Sequence, residues 1–189
     1  MKKLYFITSN RGKFIEAKQK IEPLGIKLFQ KNLGYPEIQV DTLEEVVQYG
    51  IQYLEKIFPH SFIIEDAGLF INKLNGFPGV YSSYVYHTIG CQGILKLLDK
   101  TGMERRTAVF RSVYGYKEPG KKSMLFKGEI YGKISISEKG KNGFGYDPIF
   151  IPDKATKTFA QMTLDEKNTW SHRGKALEKL VGFLSKKID

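Results

Sequence analysis

The sequence predicts an α/β fold in which a mixed β-sheet is flanked by helices. Three observations lead to this fold class. Short apolar runs alternate with segments of helical spacing in the first half of the chain, two long β-branched and aromatic runs follow, and a helical pattern closes the sequence. Alternation of strands and helices in the first half of the chain favours parallel strands. Two long strand-like runs joined by a turn favour an antiparallel pair. We expect one domain over residues 1–189, with two lobes around a central active-site cleft.

The first half of the chain supplies the predicted alternation. Apolar runs predict strands at residues 4–8, 26–30 and 62–65 with 69–71. The last of these is expected to be interrupted by Asp66-Ala67-Gly68, since Asp and Gly are turn formers. Helical spacing predicts helices at residues 11–21, 43–56, 81–86 and 93–100.

The second half predicts the antiparallel pair and the closing helix. Residues 107–116 and 125–136 alternate β-branched and aromatic side chains, and the Pro-Gly segment 118–122 supplies their turn. Residues 171–186 carry apolar side chains at helical spacing, at Ala176, Leu177, Leu180, Val181 and Leu184.

Composition limits the function classes. The chain has 189 residues, 30 Lys and Arg against 20 Asp and Glu, and a formal charge of +10, which favours polyanionic partners such as nucleotides, nucleic acid or an acidic membrane surface. Its single cysteine, Cys91, excludes an intramolecular disulfide and a multi-cysteine zinc site. The apolar run 4–7 is too short for a signal peptide, and no window reaches membrane-spanning length. We therefore expect a cytoplasmic protein with no membrane partner.

The first candidate site follows the first predicted strand. Small and hydroxyl side chains there would admit a phosphate to backbone amides at a helix start, with two cations nearby. The residues are Thr8, Ser9, Asn10, Arg11, Gly12 and Lys13. An ordinary helix cap explains the same residue types, because Ser, Thr and Asn are favoured at helix starts.

Two carboxylates are candidate metal ligands. Glu65 and Asp66 are adjacent in a predicted strand, so only one can face a given site, and we choose Asp66. Glu37 could join Asp66, since Mg²⁺ takes one or two carboxylates and completes its shell with water and phosphate oxygens. A solvated turn explains Asp66 at least as well, and a solvated surface carboxylate is the default assignment for Glu37.

Two later segments could bind a base. In residues 143–148 glycines permit an unusual backbone path that could hold the Phe144 ring against a base, with Asp147 accepting hydrogen bonds from a purine edge. His172 and Arg173 begin the last predicted helix, where a guanidinium suits a phosphate or a base carbonyl. A hairpin with core aromatics and a serine helix cap are the plainer alternatives.

In this order the segments resemble the inosine/xanthosine triphosphate pyrophosphatase family, from the first strand to the last helix. The matching pieces are TSNRGK (8–13), PEIQ (36–39), EDAGLF (65–70), GFPGVYSS (76–83), GFGYDPIF (143–150), TFAQM (158–162), EKN (166–168) and SHRGKAL (171–177). The resemblance implies an elongated mixed sheet, a cleft between lobes, a homodimer, and hydrolysis of ITP, dITP and XTP to the monophosphate and pyrophosphate, which removes deaminated purines from the nucleotide pool.

The resemblance also implies roles residue by residue. Thr8, Asn10 and Lys13 would hold phosphates, and Glu37 and Asp66 would bind Mg²⁺, with Asp66 also activating water. Phe144 would stack on the base. The rest of the pocket would comprise Gly145, Tyr146, Asp147, Lys167, His172 and Arg173. Two positions depart from the family: Ala67 replaces the usual Ser or Thr of the substrate-binding loop, and Tyr53 stands where relatives carry a lysine, so Arg11 would have to compensate.

Two other functions fit parts of the sequence. A pyrophosphatase of similar fold could act on pyrimidine or modified-guanine triphosphates, although Phe144, His172 and Arg173 favour a purine. The positive charge and the aromatic content could instead indicate a nucleic-acid-binding module. Because Lys is spread along the whole chain, we expect no nucleic-acid partner.

Overall fold

The computed structural model describes residues 2–36 and 38–187. Its seven strands are β1 (Lys2–Ile7), β2 (Ile26–Lys31), β3 (Phe62–Ile71), β4 (Pro78–Gly79), β5 (Thr107–Lys117), β6 (Met124–Ile134) and β7 (Phe150–Pro152). The five α-helices among these residues are α1 (Arg11–Ile21), α2 (Leu43–Leu54), α3 (Ser82–Leu97), α4 (Leu164–Trp170) and α5 (His172–Ser185).

The strands form a mixed sheet, which confirms the predicted α/β class. Their order is β2-β1-β3-β5-β6-β7, and β4 pairs with β3. β1 runs parallel to β2 and β3, with Leu4 opposite Leu28 and Tyr5 opposite Phe62. β4 is antiparallel to β3, and β7 to β6. The connection from β5 to β6 is too short for a parallel crossover, so these neighbouring strands are antiparallel.

Contacts divide the chain into two compact units. Unit 1 comprises residues 1–66, 112–128 and 174–189. Its core joins β1 and β2 to one face of α5 through Leu4, Phe6, Leu28, Leu177 and Leu180. The capping box of Thr42 and Glu45 fixes the start of α2, which also belongs to this unit.

Unit 2 comprises residues 67–111 and 129–173, and it has a core of its own. Leu69, Ile94, Phe110, Phe150 and Phe159 are fully or almost fully buried there. Its polar interior includes Arg106, which is 4% exposed and donates to the backbone oxygens of Leu98, Ile134 and Ser135 at 2.8, 3.0 and 2.8 Å. Burial lowers the pKa of this guanidinium.

Most predicted elements are confirmed, and the predicted interruption of β3 is wrong. β3 runs without interruption through Asp66, Ala67 and Gly68. The two helices predicted at residues 81–86 and 93–100 correspond to the two parts of α3, which are separated by a kink at Gly90, where φ is +62° and the backbone is not helical. Gly68 lies in the strand because β4 approaches it closely: a Cβ at Gly68 would lie 2.4 Å from the Gly79 carbonyl oxygen.

The division into two units does not test the prediction of one domain over residues 1–189 or that of a central cleft. Both stay predictions. Among the described residues, no helix combines the length and apolar character needed to cross a membrane.

Candidate functional site

The segment between β1 and α1 is built as a helix cap. Asn10 is the N-cap of α1, and its side-chain oxygen accepts from the Lys13 amide at 3.0 Å. The Asn10 amide in turn donates to the Thr8 hydroxyl oxygen at 3.1 Å. Ser9 and Arg11 are exposed, whereas Thr8, Asn10, Gly12 and Lys13 are partly buried. The cap prediction is therefore confirmed, and the six residues lie together at a helix N-terminus, where anions are favoured.

The Lys13 side chain extends from this cap to β3. Its ammonium lies 2.7 Å from Glu65 Oε2 and donates to the Glu65 carbonyl oxygen at 3.3 Å. The Ser112 hydroxyl of β5 donates to Glu65 Oε1 at 2.6 Å. The Glu65 side chain is completely buried, while 18% of the Lys13 side chain is exposed. The two adjacent carboxylates of β3 thus have different surroundings, as the strand pleat predicts.

Asp66 is the partly exposed member of that pair, and Ala67 is also partly exposed. Glu37, the other predicted metal ligand, lies outside the described residues. Within residues 2–36 and 38–187 no three His, Cys, Asp or Glu side chains are grouped closely enough to hold a metal ion. Asp66 supplies one carboxylate, which is a hard oxygen ligand. Mg²⁺ takes one or two carboxylates together with water and phosphate oxygens. Asp66 is a ligand of the type that Mg²⁺ takes, and the magnesium site stays a prediction.

In unit 2, residues 143–148 form a turn that is closed by its own aspartate. Asp147 Oδ2 accepts from the Phe144 amide at 2.8 Å, and the Asp147 amide donates to the Phe144 carbonyl oxygen at 3.3 Å. Gly143 has φ +76°, and a Cβ there would lie 2.1 Å from Asp147 Oδ2. The turn therefore requires glycine at this position.

The same turn gathers two cations around one aromatic ring. Lys167 of α4 lies 2.7 Å from Asp147 Oδ2, and both side chains are almost fully buried. The Lys167 ammonium is also 4.5 Å from the centroid of the Phe144 ring. The guanidinium carbon of Arg173 lies 5.1 Å from the same centroid. Asp147, Lys167, Arg173 and Phe144, which the sequence placed in one pocket, thus lie together in unit 2.

His172 and Tyr146 line the interior of unit 2 beside this turn. His172 is 2% exposed and stacks on Phe110, with ring centroids 4.5 Å apart and an interplanar angle of 9°. Tyr146 is 4% exposed and donates to the Ser82 carbonyl oxygen at 3.1 Å. Burial raises the pKa of the Tyr146 hydroxyl, so it stays protonated and acts as a hydrogen-bond donor.

Of three buried residues beside these positions, Ser82 and Ser112 were missed in the sequence and Glu65 was set aside in favour of Asp66. Glu65 and Ser112 hold the Lys13 ammonium, yet they are 47 residues apart and no local pattern connects them. Ser82 accepts from the Leu69 amide at 2.8 Å and donates to the Gly79 carbonyl oxygen at 2.7 Å. The GFPGVYSS motif contains Gly79 and Ser82, and it was the one available signal for this contact.

The chain is similar to known proteins over almost its whole length. The chain is 53% identical over 182 residues to the dITP/XTP pyrophosphatase of Pyrococcus horikoshii, covering 96% of each chain. It is 49% identical to the Thermococcus kodakarensis protein of the same name, over 98% of this chain and 99% of that one.

Solved structures show the same fold. The Staphylococcus aureus Ham1 protein superposes with a TM-score of 0.85 at 29% identity, covering 98% of this chain and all of the other. A Coxiella burnetii HAM1 protein superposes with a TM-score of 0.86 at 30% identity, with the same coverage. The Ham1 family model matches residues 4–183. The chain belongs to the Ham1 family.

Proposed function

We propose that this chain is a nucleoside triphosphate pyrophosphatase that hydrolyses ITP, dITP and XTP to the monophosphate and pyrophosphate. The observation that carries the proposal is the buried polar group around Phe144, in which Asp147 pairs with Lys167 at 2.7 Å. Such a group suits a flat, polar ligand such as a purine base. The relatives at 53% and 49% identity are named dITP/XTP pyrophosphatases, which supports two of these substrates by name. Hydrolysis would remove deaminated purines from the nucleotide pool.

The triphosphate is assigned to the start of α1. The substrate-binding residues there are Thr8, Ser9, Asn10, Arg11, Gly12 and Lys13. A helix N-terminus with nearby cations is a favourable place for phosphate oxygens, because its amides and its dipole both attract negative charge. Ala67 is assigned to the same substrate, and it contributes no hydroxyl group.

The base is assigned to the turn of unit 2. Phe144 stacks on the ring, and Gly145 and Tyr146 shape the turn. Asp147, Lys167, His172 and Arg173 supply the polar contacts. Selectivity for a 6-oxo purine follows because buried polar groups that pair with the oxo group are left poorly paired by the 6-amino group of adenine.

Magnesium is the proposed cofactor, held by Asp66 and Glu37. Bound magnesium would neutralise negative charge on the triphosphate oxygens. Asp66 accepts a proton from a water molecule as the water oxygen bonds to the α-phosphorus. The bond between the α-phosphorus and the bridging oxygen breaks, and pyrophosphate departs with the electron pair. Arg11 stabilises the charge that develops on this leaving group, while Lys13 binds the phosphates of the substrate and of the transition state alike.

A substrate panel tests the function. Pyrophosphate release should be rapid with ITP, XTP and dITP, and at least about 100-fold slower with ATP, in line with the penalty for unpaired buried polar groups. It should stop when magnesium is chelated. The competing proposal, a pyrophosphatase for pyrimidine or modified-guanine triphosphates, rests on the fold alone. Faster turnover of UTP or dTTP than of ITP would favour that alternative.

Asp66→Asn tests the catalytic assignment. The variant loses the base and a metal ligand together, so turnover of ITP should fall by at least about 1,000-fold. The asparagine is nearly isosteric, so the thermal unfolding temperature should change little. Turnover close to that of the unchanged protein would refute the role of Asp66.

We further propose that the protein is a cytoplasmic homodimer. The exposed aromatic side chains near the start of α3 support a subunit contact, since Tyr81 is 44% and Tyr84 is 67% exposed. Sedimentation of the unchanged protein and of Tyr84→Glu would test it: the variant should sediment as a monomer. A monomeric unchanged protein would overturn the proposal.

A further inference from the structure

The buried carboxylate of Glu65 has a charged partner that the proposed function assigns to the substrate. Glu65 Oε2 lies 2.7 Å from the Lys13 ammonium, and Glu65 Oε1 accepts from the Ser112 hydroxyl at 2.6 Å. The Glu65 side chain has no exposed surface. A carboxylate buried in this way is costly unless it is paired and hydrogen-bonded. Both of its oxygens therefore serve to hold neighbouring side chains in place.

Lys13 is restrained at both ends of its side chain. Its amide donates to the Asn10 cap at 3.0 Å, so the stem starts at a fixed point on α1. The Lys13 ammonium donates to the Glu65 backbone carbonyl oxygen at 3.3 Å, and its charge lies 2.7 Å from Glu65 Oε2 as an ion pair. These two contacts fix the position of the ammonium. Because an ammonium has three N–H donors, a donor is left for a phosphate oxygen.

The alternation of side chains along β3 separates the Glu65 carboxylate, which pairs with Lys13, from that of Asp66. Neighbouring residues of a strand point to opposite faces, so Glu65 and Asp66 offer their carboxylates on different sides. A lysine ammonium is a point charge on a flexible four-carbon stem, and it follows the nearest carboxylate. Pairing with Glu65 therefore holds the Lys13 charge on the Glu65 side of the strand.

We infer that Glu65 is a positioning residue that holds Lys13 for the triphosphate, and that Ser112 fixes the orientation of the Glu65 carboxylate. The inference rests on the proposed function, because it takes Lys13 as a phosphate-binding residue. It predicts that Glu65 acts only through Lys13. A residue needed only for folding would affect activity whether or not Lys13 is present.

A double-mutant cycle of Glu65→Gln and Lys13→Met tests this directly. Glu65→Gln keeps the shape and the acceptor for Ser112 but removes the charge. It should raise KM for ITP by about 10-fold and change kcat by less than about 3-fold, because a lost phosphate contact acts on bound substrate and transition state alike. In the Lys13→Met background the same change should alter kcat/KM by less than about 2-fold.

Ser112→Ala provides a second variant if Glu65→Gln does not fold. It keeps both charges and removes one hydrogen bond, so it should raise KM by about 2- to 5-fold, again only when Lys13 is present. Glu44→Gln is the matched control. It removes an ion pair of the same 2.7 Å length, to Lys127, but its side chain is 36% exposed. This variant should leave KM unchanged.

Calorimetric binding of pyrophosphate gives a readout that does not depend on turnover. Glu65→Gln should weaken pyrophosphate binding by about as much as it raises KM, and it should have no further effect after Lys13→Met. An equal loss in both backgrounds would overturn the inference. Absence of NTP turnover by the unchanged protein, with pyrophosphate binding still coupled between Glu65 and Lys13, would instead count against the proposed function alone.

Discussion

Cys91 shows how the surroundings of one residue decide its chemistry. The thiol is buried, 6% exposed, and donates to the Gly145 carbonyl oxygen at 3.6 Å. Burial, with smaller contributions from the charges of Glu138 and Asp147, raises the thiol pKa from 9.0 to about 12. The neutral thiol is therefore favoured in the folded protein. Its contribution to stability is complete below pH 9 and declines as the pH rises from about 9 to about 12.

We expect Cys91 to resist thiol reagents in the native protein. With a pKa of about 12, only about one thiol in ten thousand is ionised at pH 8. The reaction with an aromatic disulfide reagent should be complete within minutes in urea and at least about 100-fold slower without it. A native rate equal to the rate in urea would show that this thiol is accessible and ionisable.

Gly143 is the residue whose substitution should damage the base-binding turn most. Gly143→Ala combines a left-handed backbone, φ +76°, with a Cβ only 2.1 Å from Asp147 Oδ2. Gly120→Ala is the matched control: its φ is +73°, but a Cβ there meets nothing within 4 Å among the described residues. Both variants should lose about 1 kcal/mol to backbone strain.

Only Gly143→Ala should also displace Asp147 and raise KM for ITP, by at least about 10-fold, through the loss of base contacts. Urea unfolding measures the loss of stability that the two variants share. Steady-state kinetics measures the rise in KM that is expected of Gly143→Ala alone. Equal KM values for the two variants would mean that the turn tolerates a displaced Asp147.

At the scale of secondary structure, Ser82 ties three elements of unit 2 together. Its hydroxyl joins β3 at Leu69 to β4 at Gly79, and its carbonyl oxygen accepts from Tyr146 in the base-binding turn. Ser82→Ala leaves the Leu69 amide without this acceptor, so we expect a loss of about 1–3 kcal/mol in the free energy of unfolding. Ser83→Ala, exposed and next in the same helix, is the control. Urea denaturation of both variants makes the comparison, and an equal loss would contradict the role of Ser82.

Elements with a clear periodic spacing of apolar residues could be predicted from the sequence. Elements whose conformation depends on a contact with a segment distant in sequence could not. α1 was predicted with its observed bounds, and α5 within one residue, because apolar spacing and cap residues are local signals. The Asp-Ala-Gly segment has the composition of a turn, yet Gly68 is there because β4 approaches it. That approach depends on a segment ten residues later, so no window around Gly68 could reveal it.

The candidate site divides in the same way. The resemblance assigned Asp147, Lys167 and Arg173 to one pocket. Asp147 and Lys167 are paired in unit 2 and Arg173 lies beside the Phe144 ring, while their role in binding a base stays a prediction. Glu65 was set aside in favour of Asp66 because a strand presents only one of two neighbours to a site. The two carboxylates do differ in burial, as the strand pleat predicts, and the choice of Asp66 for the site stays a prediction. The strand pleat could not show that Glu65 pairs with Lys13, because these residues are 52 apart in the sequence.

At the scale of the whole molecule, the net charge is the property that can affect substrate binding at long range. Lys and Arg outnumber Asp and Glu by 30 to 20. Many of the lysines are exposed, including Lys3, Lys73 and Lys122. A strongly positive surface attracts a triphosphate before any contact forms, and dissolved salt screens that attraction beyond about 10 Å at 0.1 M.

We therefore expect kcat/KM for ITP to fall by about 3- to 10-fold between 0.05 and 0.5 M salt, with kcat almost unchanged, because salt weakens association and not the chemical step. The double variant Lys3→Glu with Lys122→Glu lowers the formal charge from +10 to +6, since each replacement changes it by two. Both residues are exposed, so the fold should be kept. The kcat/KM of the double variant should be lower than that of the unchanged protein at 0.05 M salt, and it should depend less on the salt concentration. Identical salt dependence for the two proteins would show that contacts within the site, and not the charge of the whole molecule, govern substrate capture.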